Sequence, residues 1–224
     1  MTPPPPYPRT PYLWAPPARV GDDRVVPANE VASWLHRLVL VEEKLDGANV
    51  SLWLENGRIE VASRGGPGAM DRGGQLGRLR AWAAERDEPL RGALDGGWVI
   101  YGEWLWLTHG TRYDLLPDWL AVLDYWHVAA GFAPADDRHR RAAQAGLAAP
   151  PRLFDGILGS EGALSALLGP SRWSSSGRAE GLVLRTKDGR RCKVVDPGYR
   201  LRTDAEWDDR QHNMLAAPMS KGSR

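Results

Sequence analysis

Two dipeptides constrain this chain more than anything else in it. Asn56-Gly57 and Asp188-Gly189 each stand between short runs rich in apolar residues. Asn, Asp and Gly tolerate the positive φ that a tight hairpin turn demands, so each pair predicts two antiparallel strands. The first pair joins the Val- and Leu-rich stretch 38–54 to the alternating run 58–63, and the second joins 178–186 to 190–195. Dense apolar and aromatic runs at 98–107 and 120–127 predict two more strands.

Helical signals fall between these runs. Residues 73–85 place Leu76, Leu79, Trp82 and Ala83 on one face. Asp136 and Asp137 suit a helix N-terminus, ahead of an Arg- and Ala-rich run that Gly146 can stop. A short helix is expected near 159–168 and a last one over 204–212. The sum is an α+β chain, a single domain of antiparallel sheets with flanking helices. Its 224 residues suit one such domain, placed at 21–213, after a Pro-rich arm over 1–20 and before a flexible tail over 214–224. Eight prolines among the first 17 residues hold the arm extended, to lie on or off the domain as irregular structure.

Composition narrows the class of function. No apolar run approaches the roughly 20 residues of a membrane span. The N-terminus lacks a basic start followed by an apolar stretch, and the single Cys192 has no internal disulfide partner, which together fit the cytoplasm. A formal net charge of +1 argues against coating nucleic acid by bulk electrostatics. One segment is basic: residues 172–202 carry nine Lys or Arg against three acids, a candidate surface for a nucleic-acid backbone. The five histidines are scattered without metal-ligand spacing and read as structural or surface groups.

The string Glu43-Lys44-Leu45-Asp46-Gly47-Ala48-Asn49 carries the strongest chemical signal. A lysine after an apolar strand, followed by a glycine that permits a bend, can act as a nucleophile if its surroundings lower its pKa. Later motifs follow in order: Ser63-Arg64, Tyr101-Gly102-Glu103, Glu180-Gly181-Leu182-Val183 and Arg191-Cys192-Lys193. Alternation along a strand would point Arg191 and Lys193 to one face and Cys192 to the other, giving a phosphate site two cations that would also help keep Lys44 neutral.

This series resembles the covalent nucleotidyltransferase superfamily of ATP-dependent ligases and mRNA capping enzymes, over roughly residues 38–195. The resemblance implies that Lys44 takes AMP from ATP, with Asp46 and Lys193 in the catalytic set. Glu43, Asn49, Arg64, Glu103, Leu123, Glu180, Arg191 and Lys193 would surround the nucleotide, Glu180 holding Mg²⁺ or Mn²⁺ and Arg64 meeting the sugar or the 5′-phosphate. Asn49 is similar to the phage-like type 2 RNA ligases, where DNA ligases and capping enzymes carry Arg. The implied partner is nucleic acid, RNA with 5′-phosphate and 3′-hydroxyl ends, in repair of broken strands. A DNA ligase, a capping guanylyltransferase or a silent nucleic-acid-binding module are the alternatives.

Two departures stand out. The family stacks adenine on an aromatic residue where this chain has Leu123, with Trp119 and Trp126 as nearby substitutes or core residues. Only 31 residues follow Lys193, so no C-terminal accessory domain is expected and an accessory protein could supply the grip on a duplex.

Overall fold

The computed structural model describes residues 3–15, 24–64, 74–199 and 211–217. The expected helix over 204–212 lies outside them except for its last two positions. Two antiparallel sheets face one another. The first has strand order β7-β1-β8-β9, built from β1 (Leu38–Lys44), β7 (Arg152–Ile157), β8 (Gly181–Thr186) and β9 (Arg191–Val195). The second has order β3-β2-β4-β5-β6, built from β2 (Ala48–Glu55), β3 (Arg58–Ser63), β4 (Trp98–Trp104), β5 (Leu120–His127) and β6 (Gly131–Phe132).

Both expected hairpins form. Asn56 and Gly57 have φ of 49° and 73°, so β2 and β3 are joined by a turn that needs both residues left-handed. Between β8 and β9 only Gly189 is left-handed, at 82°, and the loop spans four residues. The stretch 38–54 is not one strand, however. It breaks at 45–47, and its halves belong to different sheets.

Gly47 marks that crossing. Its φ is not left-handed; space is what requires glycine there, because a Cβ would sit 2.6 Å from the Trp104 carbonyl oxygen and 2.8 Å from a Leu105 methyl.

Helices α2 (Gln75–Glu85), α3 (Asp87–Leu94) and α4 (Ala135–Gln144) cover the second sheet, enclosing Leu52, Leu79, Trp82, Leu90, Ile100, Trp104 and Tyr125. Gly146, at φ 65°, ends α4 as expected. The first sheet packs its outer face on α1 (Ala28–Leu35) and α5 (Glu161–Ser165), around Trp34, Val41, Leu164, Leu182 and Cys192. Ser160 caps α5 through a 3.1 Å bond from Ala163 N–H.

The N-terminal arm lies on the domain. Tyr101 donates to the Pro5 carbonyl at 2.6 Å, and Pro11 and Leu13 bond the main chain of Lys193 on both sides at 2.8 Å. The arm therefore straps β9 of one sheet to β4 and β5 of the other. Residues 214–217, placed by the sequence in the tail, include Met214 and Ala216 amides bonded to Tyr113 and Leu116 carbonyls.

Candidate active site

A cavity opens between the sheets, lined on one side by Lys44, Glu42, Val183, Arg185 and Lys193, and on the other by Asn49, Glu103 and Leu123, with Tyr7 and Thr10 of the arm beside them. Lys44 ends β1 at the crossing to the second sheet, and its Nζ donates to Glu180, the residue just before β8. Glu103 sits across the seam, accepting from the Gly47 amide at 3.1 Å. Asn49 is paired opposite Glu103 and donates to the Gly102 carbonyl at 3.5 Å, while the Arg64 amide bonds the Asn49 carbonyl at 3.0 Å. The motifs at 44, 49, 64, 103, 180 and 193, far apart in sequence, thus converge on one seam.

The electrostatics correct one expectation. Burial pulls the Lys44 pKa down, but Glu180 first, then Glu103 and Asp46, outweigh it and hold the ammonium above the usual lysine range. Neither basic residue of β9 is among the chief influences on Lys44, so the expected lowering of its pKa does not appear. Burial raises Glu180 despite Lys44, and raises Glu103 to about 7, where Lys44 opposes it and the neighbouring carboxylates reinforce it.

Asp46 is turned into a separate network. Its carboxylate accepts from the Gly110 amide and the Tyr199 hydroxyl, and its own amide donates to the Tyr113 hydroxyl at 2.9 Å. Glu43 is buried, and its carboxylate accepts from the Ser171 hydroxyl and, at 2.8 Å, from the Arg172 amide. Because successive side chains alternate, Glu43 points away from the face that holds Glu42 and Lys44.

On β9 the alternation holds: Cys192 is buried in the core of the first sheet, while Arg191 and Lys193 face the other way. The two cations do not act as a pair. Arg191 bonds Asp124 at 2.8 Å and lies 4.4 Å and 4.8 Å from the ring centres of Tyr7 and Phe132, whereas Lys193 borders the cavity over the Tyr12 ring. The basic segment is likewise not one free surface: Arg178 pairs with Asp196, Arg190 with Glu30, and Arg185 with Glu42 and Asp124. Positions 200 and 202 lie outside the described residues.

Leu123 lines the cavity at a bulge in β5, where Tyr101 pairs with Asp124 and Gly102 with Val122. Neither Trp119 nor Trp126 borders the cavity; both pack into the core. Glu42 went unnoticed in the sequence and Arg185 was counted only in the basic segment, though each left a further signal. Glu42 lies two residues before Lys44 on a strand, and Arg185 interrupts an apolar one. Glu42 is 1% exposed and accepts from Arg138, from Arg185 at 2.8 Å and from His139 at 2.6 Å. Burial alone would raise its pKa, yet Arg138 and Arg185 hold it down at about 2. Tyr7 of the arm donates from its hydroxyl to Asp124, a contact no sequence pattern specifies.

A lysine bedded among carboxylates on the seam of two antiparallel sheets defines a nucleotidyltransferase-type domain of the ligase kind. The model of the RNA ligase family matches residues 37–198, and the chain belongs to that family. Its fold is similar to solved structures of the Naegleria gruberi RNA ligase: an apo mutant (TM-score 0.56, 18% identity, 74% of this chain and 51% of that one) and a mutant with ATP and Mn (TM-score 0.56, 18% identity, 75% and 52%). The complex of that ligase with PPi aligns at TM-score 0.54 and 18% identity, over 75% of this chain and 52% of the other. The chain spans about half the length of these neighbours. No curated protein matches it.

Proposed function

We propose that this domain is an ATP-dependent RNA ligase that joins 5′-phosphate to 3′-hydroxyl ends through an AMP carried on Lys44. The observation that carries this reading is the contact between Lys44 Nζ and Glu180, with Glu103 across the seam and Lys193 at the rim. The Lys44 amine attacks the α-phosphorus of ATP, forming a P–N bond and releasing pyrophosphate. The 5′-phosphate of an RNA strand takes the AMP, and a 3′-hydroxyl then displaces AMP to form the phosphodiester.

The residues fit a divalent cation, Mg²⁺ or Mn²⁺. Among the described residues no group of three His, Cys, Asp or Glu side chains forms a cage. Glu180 would hold such an ion, which needs only one or two protein carboxylates. When bound, the ion neutralises charge on the phosphates. Glu180 is the largest of the contacts that favour the Lys44 ammonium, Glu103 and Asp46 add to it, and burial favours the neutral, nucleophilic amine. Lys193 offsets phosphate charge, Glu103 holds the ribose, and Arg64 and Asn49 meet the sugar or the strand end.

No helix among the described residues is long and apolar enough to cross a membrane. The reading places the enzyme in the cytoplasm, in RNA repair, with residues 21–213 as its catalytic domain and an accessory protein supplying grip on a duplex. The test is incubation with ATP labelled on the α-phosphate and Mg²⁺, followed by denaturation. Label retained by the wild type and absent from Lys44→Ala is expected; label on a folded Lys44→Ala protein would remove Lys44 as the nucleophile.

A further inference from the structure

We infer that Trp106, Arg78 and His212 form a stacking platform for a base of the RNA strand being joined, next to the adenylylation seam. The inference rests on the RNA-ligase reading above and adds a strand-binding surface to it. Trp106 is partly buried, and three groups from separate parts of the chain gather on it. The Arg78 guanidinium of α2 lies 4.8 Å from the centre of its ring system, the His212 ring 4.3 Å away at 52°, and Trp119 packs edge-on at 4.9 Å.

His212 is the exposed outer member of this group. It is held there by its bridge to Leu107, by the Thr108 amide bonding the Gln211 carbonyl at 2.8 Å, and by Asn213, whose side chain donates to the Leu105 and Leu107 carbonyls at 2.8 Å and 3.2 Å. A backbone held on either side keeps the His212 ring against Trp106, so less ordering is left to oppose stacking.

The location suits a strand approaching Lys44. Trp106 follows Glu103 by three residues, at most about 10 Å of extended chain. Leu105 packs against Leu45 and against the turn at Gly47, so the platform and the nucleophile share a wall. Arg78 makes no ion pair among the described residues, which leaves its charge for a phosphate. Base stacking with an adjacent cation is how single strands are held without sequence preference.

The experiment measures binding of a short 5′-phosphorylated oligoribonucleotide by fluorescence anisotropy across a salt series. It uses the full chain and its His212→Ala, His212→Phe and Arg78→Gln variants, with labelling by ATP run in parallel. His212→Ala is expected to weaken binding about tenfold and His212→Phe to restore it. Arg78→Gln should lower the slope of log affinity against log salt by about 0.7, one phosphate contact on a single strand. Labelling of Lys44 should stay at the wild-type level in all three. Unchanged affinity in His212→Ala, no restoration by His212→Phe, or no binding by the wild type would overturn the platform. Failure of the wild type to take label would instead count against the RNA-ligase reading, leaving the binding result to judge the platform alone.

Discussion

Replacing Glu42 by Gln tests whether the charged cluster behind the cavity stabilises the fold through charge. Glu42 is 1% exposed, and its pKa falls from an ordinary 4.5 to about 2. That gap of about 2.5, at about 1.4 kcal/mol for each pKa unit, corresponds to roughly 3 kcal/mol of stability. Because the folded pKa is depressed, this contribution is fully present above pH 4.5 and lost as pH falls through about 2. Leaving Arg138 without its carboxylate, and Arg185 with Asp124 alone, costs a similar amount, about 3–5 kcal/mol by analogy with other broken buried pairs. Urea unfolding of both proteins at a series of pH values between neutral and about 2 is the assay. Glu42→Gln should be less stable by roughly 3 kcal/mol near neutrality, with the gap narrowing as the wild type acidifies. A gap that stays constant across the series would refute the reasoning, since a polar group acting by shape or neutral hydrogen bonding has no such pH dependence.

Two further outcomes follow from the seam. Burial raises Glu103 to about 7, so any step needing its carboxylate should gain rate as pH rises through about 7; a pH profile of labelling in which Glu103→Gln keeps the same inflection would show that another group titrates. Gly47→Ala puts a Cβ 2.6 Å from the Trp104 carbonyl oxygen, and should lose about 1–3 kcal/mol in thermal unfolding together with most labelling; wild-type stability and labelling would show that the turn can shift freely.

Much of this architecture was legible because its signals are local. Asn56-Gly57 fixed one hairpin through backbone geometry alone, and Leu76, Leu79 and Trp82 announced α2 through their spacing. Elements with weak local signals were missed. α1 spans only two turns, with Val31, Trp34 and Leu35 as its apolar residues; α3 rests on Leu90 and Leu94; β7 is an edge strand with poor alternation, interrupted by Gly156. A bend after Lys44 was legible from Gly47, but not that the halves on either side join different sheets, and the approach of Trp104 and Leu105 shows why the crossing needs glycine.

The site divides along the same line. Motif order located Lys44, Glu103, Glu180 and Lys193, since each keeps its neighbours in sequence. What the order could not supply was the company each residue keeps. Arg191 stands in a two-cation motif yet is held by Asp124, a partner 67 residues away. The charge on Lys44 was misjudged for the same reason, because carboxylates 59 and 136 residues distant outweigh the effect of burial.

The strap formed by the arm bears on the order in which the protein is made. Tyr12 leaves the ribosome well ahead of its partner Lys193, which follows about 180 residues later. Closing so long a loop depends on the intervening strands having already paired, so this contact belongs to the end of folding. Tyr7 and Thr10 can therefore take their places beside the cavity only once β9 has emerged. A chain made only as far as β6 can pair the second sheet, but the cavity between the sheets gains its Lys193 wall and the arm beside it only after β9.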